Sequence, residues 1–155
     1  MYAVIRQGST TLYSGYVPVT LTGVVGQQYT VTMYSYGNYY FDHWDDGTTN
    51  PVRTVTLTQN TVLTAYFKTP VSLTIKSATL AGATLTGMHV VIKSGSTTLK
   101  SGNTPLTYTL ESGTTYTVTA SGASGHVFDH WDDGTTNPTR TVTLTQNTVI
   151  TAYFR

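Results

Sequence analysis

Hydrophobic and polar residues alternate with a period of two along most of this chain. The clearest runs are residues 88–92, 106–110, 116–118 and 142–144, in which every second residue is apolar and most of the others are Thr. This pattern predicts strands with one apolar face and one wet face, as in an antiparallel sheet. Turn sequences separate the runs at intervals of about ten residues, and no stretch has a helical period. We therefore expect an all-β sandwich or partly closed barrel with seven or eight strands per complete unit.

The chain is a tandem duplication. Residues 41–51 recur letter for letter as residues 128–138, and a shift of 87 positions aligns residues 1–68 with 88–155 without a gap. Of these 68 aligned pairs, 43 are identical, which chance does not produce. Similarity this high indicates one structural unit present twice, as in repeat arrays.

The two copies differ in length, because residues 69–87 have no counterpart ahead of Met1. Within this segment Val71, Leu73 and Ile75 alternate with polar residues, which predicts a half-buried strand rather than a linker, the alternative interpretation. We predict two tandem small Ig-like β-sandwich domains, 1–68 and 69–155, of which the first lacks its initial strand. Since Met1 aligns with an internal residue, we expect the chain to be part of a longer array.

Composition excludes several classes of protein. Only 10% of the residues are charged, against about 25% in ordinary soluble domains. The net charge of +1 argues against nucleic-acid binding, which needs clustered basic residues. No apolar stretch is long enough to insert into a membrane, and the absence of Cys rules out a disulfide scaffold. The 35 Thr residues predict hydrated, nearly neutral sheet faces.

Six of the seven acidic residues lie in the two copies of one acidic-aromatic motif. The interpretation we favour is structural: Phe41 and Trp44 anchor the core, Asp45 and Asp46 begin a turn, and Arg53 pairs with an Asp across the hairpin. The second copy offers the same set, namely Phe128, Trp131, Asp132, Asp133 and Arg140.

Two other interpretations of this motif stay open. Clustered carboxylates suit calcium, which takes six to eight oxygen ligands, although the spacing does not match an EF-hand. An Asp-His pair could act in acid-base catalysis, but a solvent-facing turn repeated in tandem offers neither a pocket nor a reason for two sites. We therefore expect no enzyme activity and no cofactor. The weak calcium candidates are Asp42, Asp45, Asp46, Asp129, Asp132 and Asp133.

Tyrosine distinguishes the first copy from the second, since nine of the twelve Tyr residues lie in residues 1–68. We interpret residues 33–40 as an aromatic loop and take four of its residues as candidates for binding. Three roles remain open: packing against the neighbouring unit or over the edge left by the missing strand, a protein interface, and stacking on sugar rings. The candidates are Tyr34, Tyr36, Tyr39 and Tyr40.

The end of each copy, Phe-x-x-Trp followed by Thr-Val-Thr-Leu-Thr-Gln-Asn-Thr-Val-x-Thr-Ala-Tyr-Phe, resembles the divergent internalin-B-type B-repeat family. Residues 92–107 are similar to PEGA-type surface modules, and comparable composite repeats occur in secreted archaeal proteins. These resemblances imply an extracellular, non-catalytic β module of a microbial surface protein, used for spacing or adhesion. The expected partners are other copies of the repeat, cell-surface proteins or glycans. The alternatives are a self-assembling filament or sheath subunit that uses an open strand edge, and a carbohydrate-binding appendage.

Overall fold

The computed structural model describes residues 1–155, which form fifteen β-strands and no helix. Consequently, no helix able to cross a membrane is present. The chain divides into two compact units, Met1–Thr69 and Pro70–Arg155. The all-β prediction is confirmed. The strands are β1 (Tyr2–Gln7), β2 (Thr10–Tyr16), β3 (Gln28–Tyr34), β4 (Tyr40–Trp44), β5 (Val52–Thr56), β6 (Ala65–Lys68), β7 (Pro70–Thr79), β8 (Thr84–Leu85), β9 (His89–Ser94), β10 (Thr97–Asn103), β11 (Leu106–Glu111), β12 (Thr115–Ser121), β13 (Phe128–Trp131), β14 (Thr139–Thr143) and β15 (Thr148–Phe154).

The second unit has the sandwich-like arrangement of two sheets. One sheet has the strand order β10-β9-β12-β14, and the other has the order β11-β7-β15-β13 with β8 added beside β7. The predicted count of seven or eight strands was too low, since the unit has nine. Strand β8 has only two residues, too few to show an alternation in the sequence.

Strand β7 is the structural centre of the second sheet. It pairs antiparallel with β11 on one side and parallel with β15 on the other, so both of its edges are hydrogen-bonded. Val71, Leu73 and Ile75 are buried on its inner face and belong to one apolar cluster with residues of both sheets. Residues 69–87 therefore do not form a linker.

The first unit repeats only part of this plan. Its sheet β2-β1-β3-β5 has the same order as β10-β9-β12-β14, and the pair β4-β6 corresponds to β13-β15. It contains no strand equivalent to β7. The counterparts of β11 (residues 19–24) and of the first half of β15 (residues 61–64) also lie outside strands. These are the two segments that border β7 in the second unit, so each lacks its partner here. We call residues 19–24 and 61–67 the open edge.

The core of the first unit is correspondingly small. Ala3, Met33 and Trp44 form its buried apolar cluster, against sixteen buried residues in the cluster of the second unit. Ten positions whose counterparts in the second unit are buried are only half-buried here: Met1, Ile5, Val17, Gly23, Val31, Val55, Leu57, Leu63, Ala65 and Phe67. These residues lack the packing against β7 that their counterparts have in the second unit.

Candidate functional site

In the acidic-aromatic motif an aromatic anchor on β4 fixes the start of a turn. Trp44 is almost completely buried, and its Nε1 donates a hydrogen bond to the backbone oxygen of Asn50 at 2.8 Å. Phe41 is half-buried and tilts against Trp44, with ring centroids 5.6 Å apart. The indole therefore joins the core to the far side of the turn.

The turn itself is held by Asp46 and Gly47. Asp46 Oδ1 accepts hydrogen bonds from the Thr48 amide at 3.0 Å and from the Thr48 hydroxyl at 2.7 Å. Gly47 has a φ of 84°, in the left-handed region that favours glycine, and its amide donates to the Trp44 oxygen at 2.8 Å. The hydrogen bonds from Thr48 lower the pKa of Asp46 below its ordinary value.

Arg53 on β5 closes the motif from the opposite side. It bonds to Asp45 at 2.5 Å and to Asp46 at 3.1 Å, and its guanidinium carbon lies 5.6 Å from the centre of the Trp44 ring. The hydrogen bond from Arg53 is the main cause of a lowered pKa of Asp45. The cation thus sits between a carboxylate pair and an aromatic face.

The second unit repeats these contacts. Arg140 bonds to Asp132 at 2.5 Å and to Asp133 at 3.1 Å, and it lies 6.0 Å from the centre of the Trp131 ring. Trp131 Nε1 donates to the Asn137 oxygen at 3.1 Å. The ring centroids of Phe128 and Trp131 are 5.5 Å apart, close to the 5.6 Å between those of Phe41 and Trp44.

The Asp-His pair of the motif is engaged in local contacts. His43 donates to Asp42 at 2.6 Å, which is the main cause of a lowered pKa of Asp42, and Lys68 lies 3.6 Å from the same carboxylate. The His43 ring stacks on Tyr66 at 4.8 Å. In the second unit His130 contacts Asp129 at 2.8 Å and stacks on its own tyrosine in the same way.

The weak calcium candidates do not form a ready set of ligands. No three His, Asp or Glu side chains of the chain are grouped so that they could hold a metal ion. Oxygens of Asp45 and Asp46 are already bound by Arg53 and Thr48. Binding of calcium would require these contacts to break.

A second candidate site is an aromatic surface on the first unit, formed by Tyr2, Tyr16, Tyr34 and Tyr36, which we call the tyrosine surface. Tyr2 packs edge-on against Tyr16 at 5.6 Å and against Tyr34 at 6.3 Å, and Tyr16 packs edge-on against Tyr36 at 5.6 Å. Together with Val4 and Ser35 these rings line a shallow, open depression. The tyrosine surface is thus wide, aromatic and accessible to solvent.

Only two of the four candidate tyrosines belong to this surface. Tyr34 lies at the end of β3, so the expected single loop over residues 33–40 is wrong: strand pairing with β1 extends through Tyr34. Tyr39 is bridged to Tyr36 in a hairpin but does not line the depression, and Tyr40 begins β4, paired with Lys68. The hairpin turns at Gly37, which has a φ of 61°.

The other two members, Tyr2 and Tyr16, were not among the binding candidates. They are brought to Tyr34 by cross-strand pairing, since Tyr2 is opposite Tyr16 on one side and opposite Tyr34 on the other. The signal in the sequence was that their counterparts in the second copy are His89 and Asn103.

The tyrosine surface does not cover the open edge. It lies on the face of the sheet β2-β1-β3-β5 opposite to Ala3 and Met33, which point into the core. The open edge belongs to the other layer, which contains β6. Within the tyrosine surface, the hydrogen bond with Tyr36 raises the pKa of Tyr16 above its ordinary value of 10.0.

Comparison with family models matches residues 84–155 to the divergent InlB B-repeat domain. No curated protein and no solved structure matches the chain significantly. The family is a repeat module without a known catalytic role and is associated with surface or extracellular proteins. The PEGA-like and archaeal resemblances stay predictions. The resemblance to this family is confirmed for residues 84–155, which match the divergent InlB B-repeat domain.

Proposed function

We propose that this chain is a non-catalytic spacer or adhesion module of an extracellular or cell-surface microbial protein. The observation that carries the proposal is the reuse of one set of contacts in both units. Arg53 with its carboxylates and Trp44, and Arg140 with its own set, hold equivalent turns with nearly equal distances. In both units the Asp and Arg side chains of the motif bond to each other, which supports a role in stabilising the fold.

Two measurements test this proposal. An antibody against the chain should label intact cells of the source organism; labelling that appears only after lysis would contradict a surface location. The double variant Asp45→Asn, Asp132→Asn should melt at a lower temperature, because each unit loses an arginine contact. If that variant instead lost a measurable turnover with unchanged melting, the motif would be catalytic.

A second candidate function is carbohydrate binding at the tyrosine surface. The supporting observation is that exposed aromatic rings line a shallow, open depression, because the apolar face of a sugar ring can stack on a flat aromatic ring. We expect the variant Tyr16→Ala, Tyr36→Ala to lose retention on a polysaccharide panel that the parent chain binds. Tyr39→Ala is the matched control, since Tyr39 is also exposed but lies outside the depression. Equal loss in the control, or no retention of the parent chain, would refute this function.

A self-assembling filament is the third candidate, supported by the open edge, since unpaired edges template pairing with other chains. Light scattering after size exclusion distinguishes it from the spacer. A mass that stays at 16.8 kDa over a concentration series is expected for a spacer, whereas a mass that climbs would indicate a filament.

A further inference from the structure

Two phenol side chains of the tyrosine surface are in direct contact. Tyr16 at the end of β2 and Tyr36 in the hairpin after β3 have ring centroids 5.6 Å apart, with their planes at 86°. The Tyr36 side chain also makes a hydrogen bond with that of Tyr16. Because the hydroxyl is the only polar group of a tyrosine side chain, this bond brings together the two hydroxyls and the ring carbons ortho to them.

Both of these rings are accessible from solvent, since Tyr16 is 58% exposed and Tyr36 is 55% exposed. The other two ring contacts of the tyrosine surface both involve Tyr2. Tyr2 is half-buried, and its hydroxyl is bonded to the hydroxyl of Ser14. Tyr16 and Tyr36 are therefore the contacting pair of this surface in which both rings are open to a reagent from solvent.

We propose that Tyr16 and Tyr36 are a modification site, at which hydrogen peroxide acting through a haem peroxidase forms a dityrosine cross-link. The peroxidase removes one electron and one proton from each phenol and passes them to the peroxide, which is reduced to two water molecules. The two phenoxyl radicals then join by a carbon-carbon bond between their ortho carbons. Each of these carbons loses its hydrogen as a proton and each oxygen regains a proton, so the product lacks two hydrogen atoms.

The fold prepares this reaction by holding the two rings together. Strand pairing places Tyr16 opposite Tyr2, and the bridge between Tyr36 and Tyr39 with the turn at Gly37 fixes the hairpin. Two groups that the fold holds in contact react in a unimolecular step and do not need the encounter of two chains. Coupling within one chain is therefore faster than coupling between chains in dilute solution.

The cross-link ties β2 to the hairpin that follows β3. It closes residues 16–36 into a covalent loop, which restricts the unfolded chain and thereby stabilises the folded one. The second unit cannot form this link, because the counterparts of Tyr16 and Tyr36 are Asn103 and Ala123. The second unit is therefore an internal reference for the effect, which depends neither on the surface location nor on the carbohydrate binding proposed above.

The test treats the purified full chain, in dilute solution, with a haem peroxidase and hydrogen peroxide. Trypsin cleaves after Arg6 and Arg53, so Tyr16 and Tyr36 lie in one peptide, residues 7–53. The mass of this peptide should fall by that of two hydrogen atoms, and dityrosine fluorescence should appear. Fragment ions that arise from cleavage within residues 16–36 should be lost, because the cross-link holds both sides of each break together.

The effect on stability is measured by unfolding in guanidinium chloride, since each unit contains one tryptophan. After oxidation the native indole resonance of Trp44 should persist to a higher concentration of denaturant, whereas that of Trp131 should be lost at the same concentration as before. An equal shift for both resonances, or none for Trp44, would show that the link does not stabilise the first unit.

The variants Tyr16→Phe and Tyr36→Phe keep an aromatic ring at each position but remove the phenol, so each should lose the fall in mass and the fluorescence. Tyr39→Phe is the matched control and should react like the parent chain, because Tyr39 is exposed but lies outside the depression. The proposal is overturned if the parent chain forms no link, or if Tyr36→Phe still forms it. Joining of peptide 7–53 to peptide 1–6, which would mean that Tyr2 reacts, or a product that is mainly a dimer would also overturn it.

Discussion

Substitution of the same residue at aligned positions of the two units measures how much packing the first unit lacks. Ile92 on β9 has no exposed surface and lies in the large cluster of the second unit. Ile5, its counterpart on β1, is half-buried and lies outside the small cluster around Trp44. We therefore predict that Ile92→Ala is several times more destabilising than Ile5→Ala.

The magnitudes follow from burial. Each substitution removes three carbons, and at about 0.8 kcal/mol per buried CH₂ the transfer contribution at Ile92 is about 2.4 kcal/mol. The cavity left in a closed core adds to this, which gives about 3–4 kcal/mol for Ile92→Ala, within the range of about 2–5 kcal/mol for such changes. At Ile5 about half of the transfer contribution is lost and solvent can fill the gap, so we expect about 1 kcal/mol.

The assay is equilibrium unfolding in guanidinium chloride, followed by the indole resonances of Trp44 and Trp131 so that each unit is observed separately. Light scattering must first show that both variants and the parent chain have the same mass. Equal losses of stability in the two variants, or a larger loss for Ile5→Ala, would refute the reasoning. That result would mean that Ile5 is as well covered in solution as Ile92.

Three further predictions concern charge. The pKa values of Asp45 and Asp46 are lowered from 3.8 in the folded chain. The stability that these carboxylates contribute is therefore present above pH 3.8 and is lost as the pH falls through their folded pKa values. Calorimetry should show a melting temperature that declines over this range of pH, and the decline should be smaller in Asp45→Asn. Because the pKa of Tyr16 is raised above 10.0, its contribution is present below pH 10.0 and is lost as the pH rises through the folded value; titration of tyrosinate absorbance should show a late-ionising group that is absent in Tyr16→Phe. Calcium and EDTA should leave the melting temperature unchanged, since Arg53 and Thr48 occupy the carboxylates; a rise with calcium would contradict this.

The sequence predicted the strands, and the buried face of each strand, wherever apolar and polar residues alternate within that strand. The pattern at Val71, Leu73 and Ile75 located β7 and its buried face, and Val90 and Ile92 likewise indicated the inner face of β9. It did not reveal the tyrosine surface, because Tyr2 and Tyr16 reach Tyr34 only through the register of three strands. Cross-strand register is set by the whole sheet and leaves no local signature.

The structure of the open edge could not be predicted from the local sequence either. Residues 61–67 and 148–154 have the same alternation and differ only in Leu63, which stands in place of Ile150, so a local rule assigns them the same structure. They differ in structure because strand propensity reflects packing against neighbours more than an intrinsic preference of the backbone. The absence of one strand therefore leaves residues 61–64 outside strands although their own sequence is adequate, whereas in residues 19–24 Gly23 also replaces the buried Leu110 of β11. If this argument is right, supplying a β7-like strand restores strand structure in residues 61–64, and no recovery would show that they are prevented from forming a strand by their own residues.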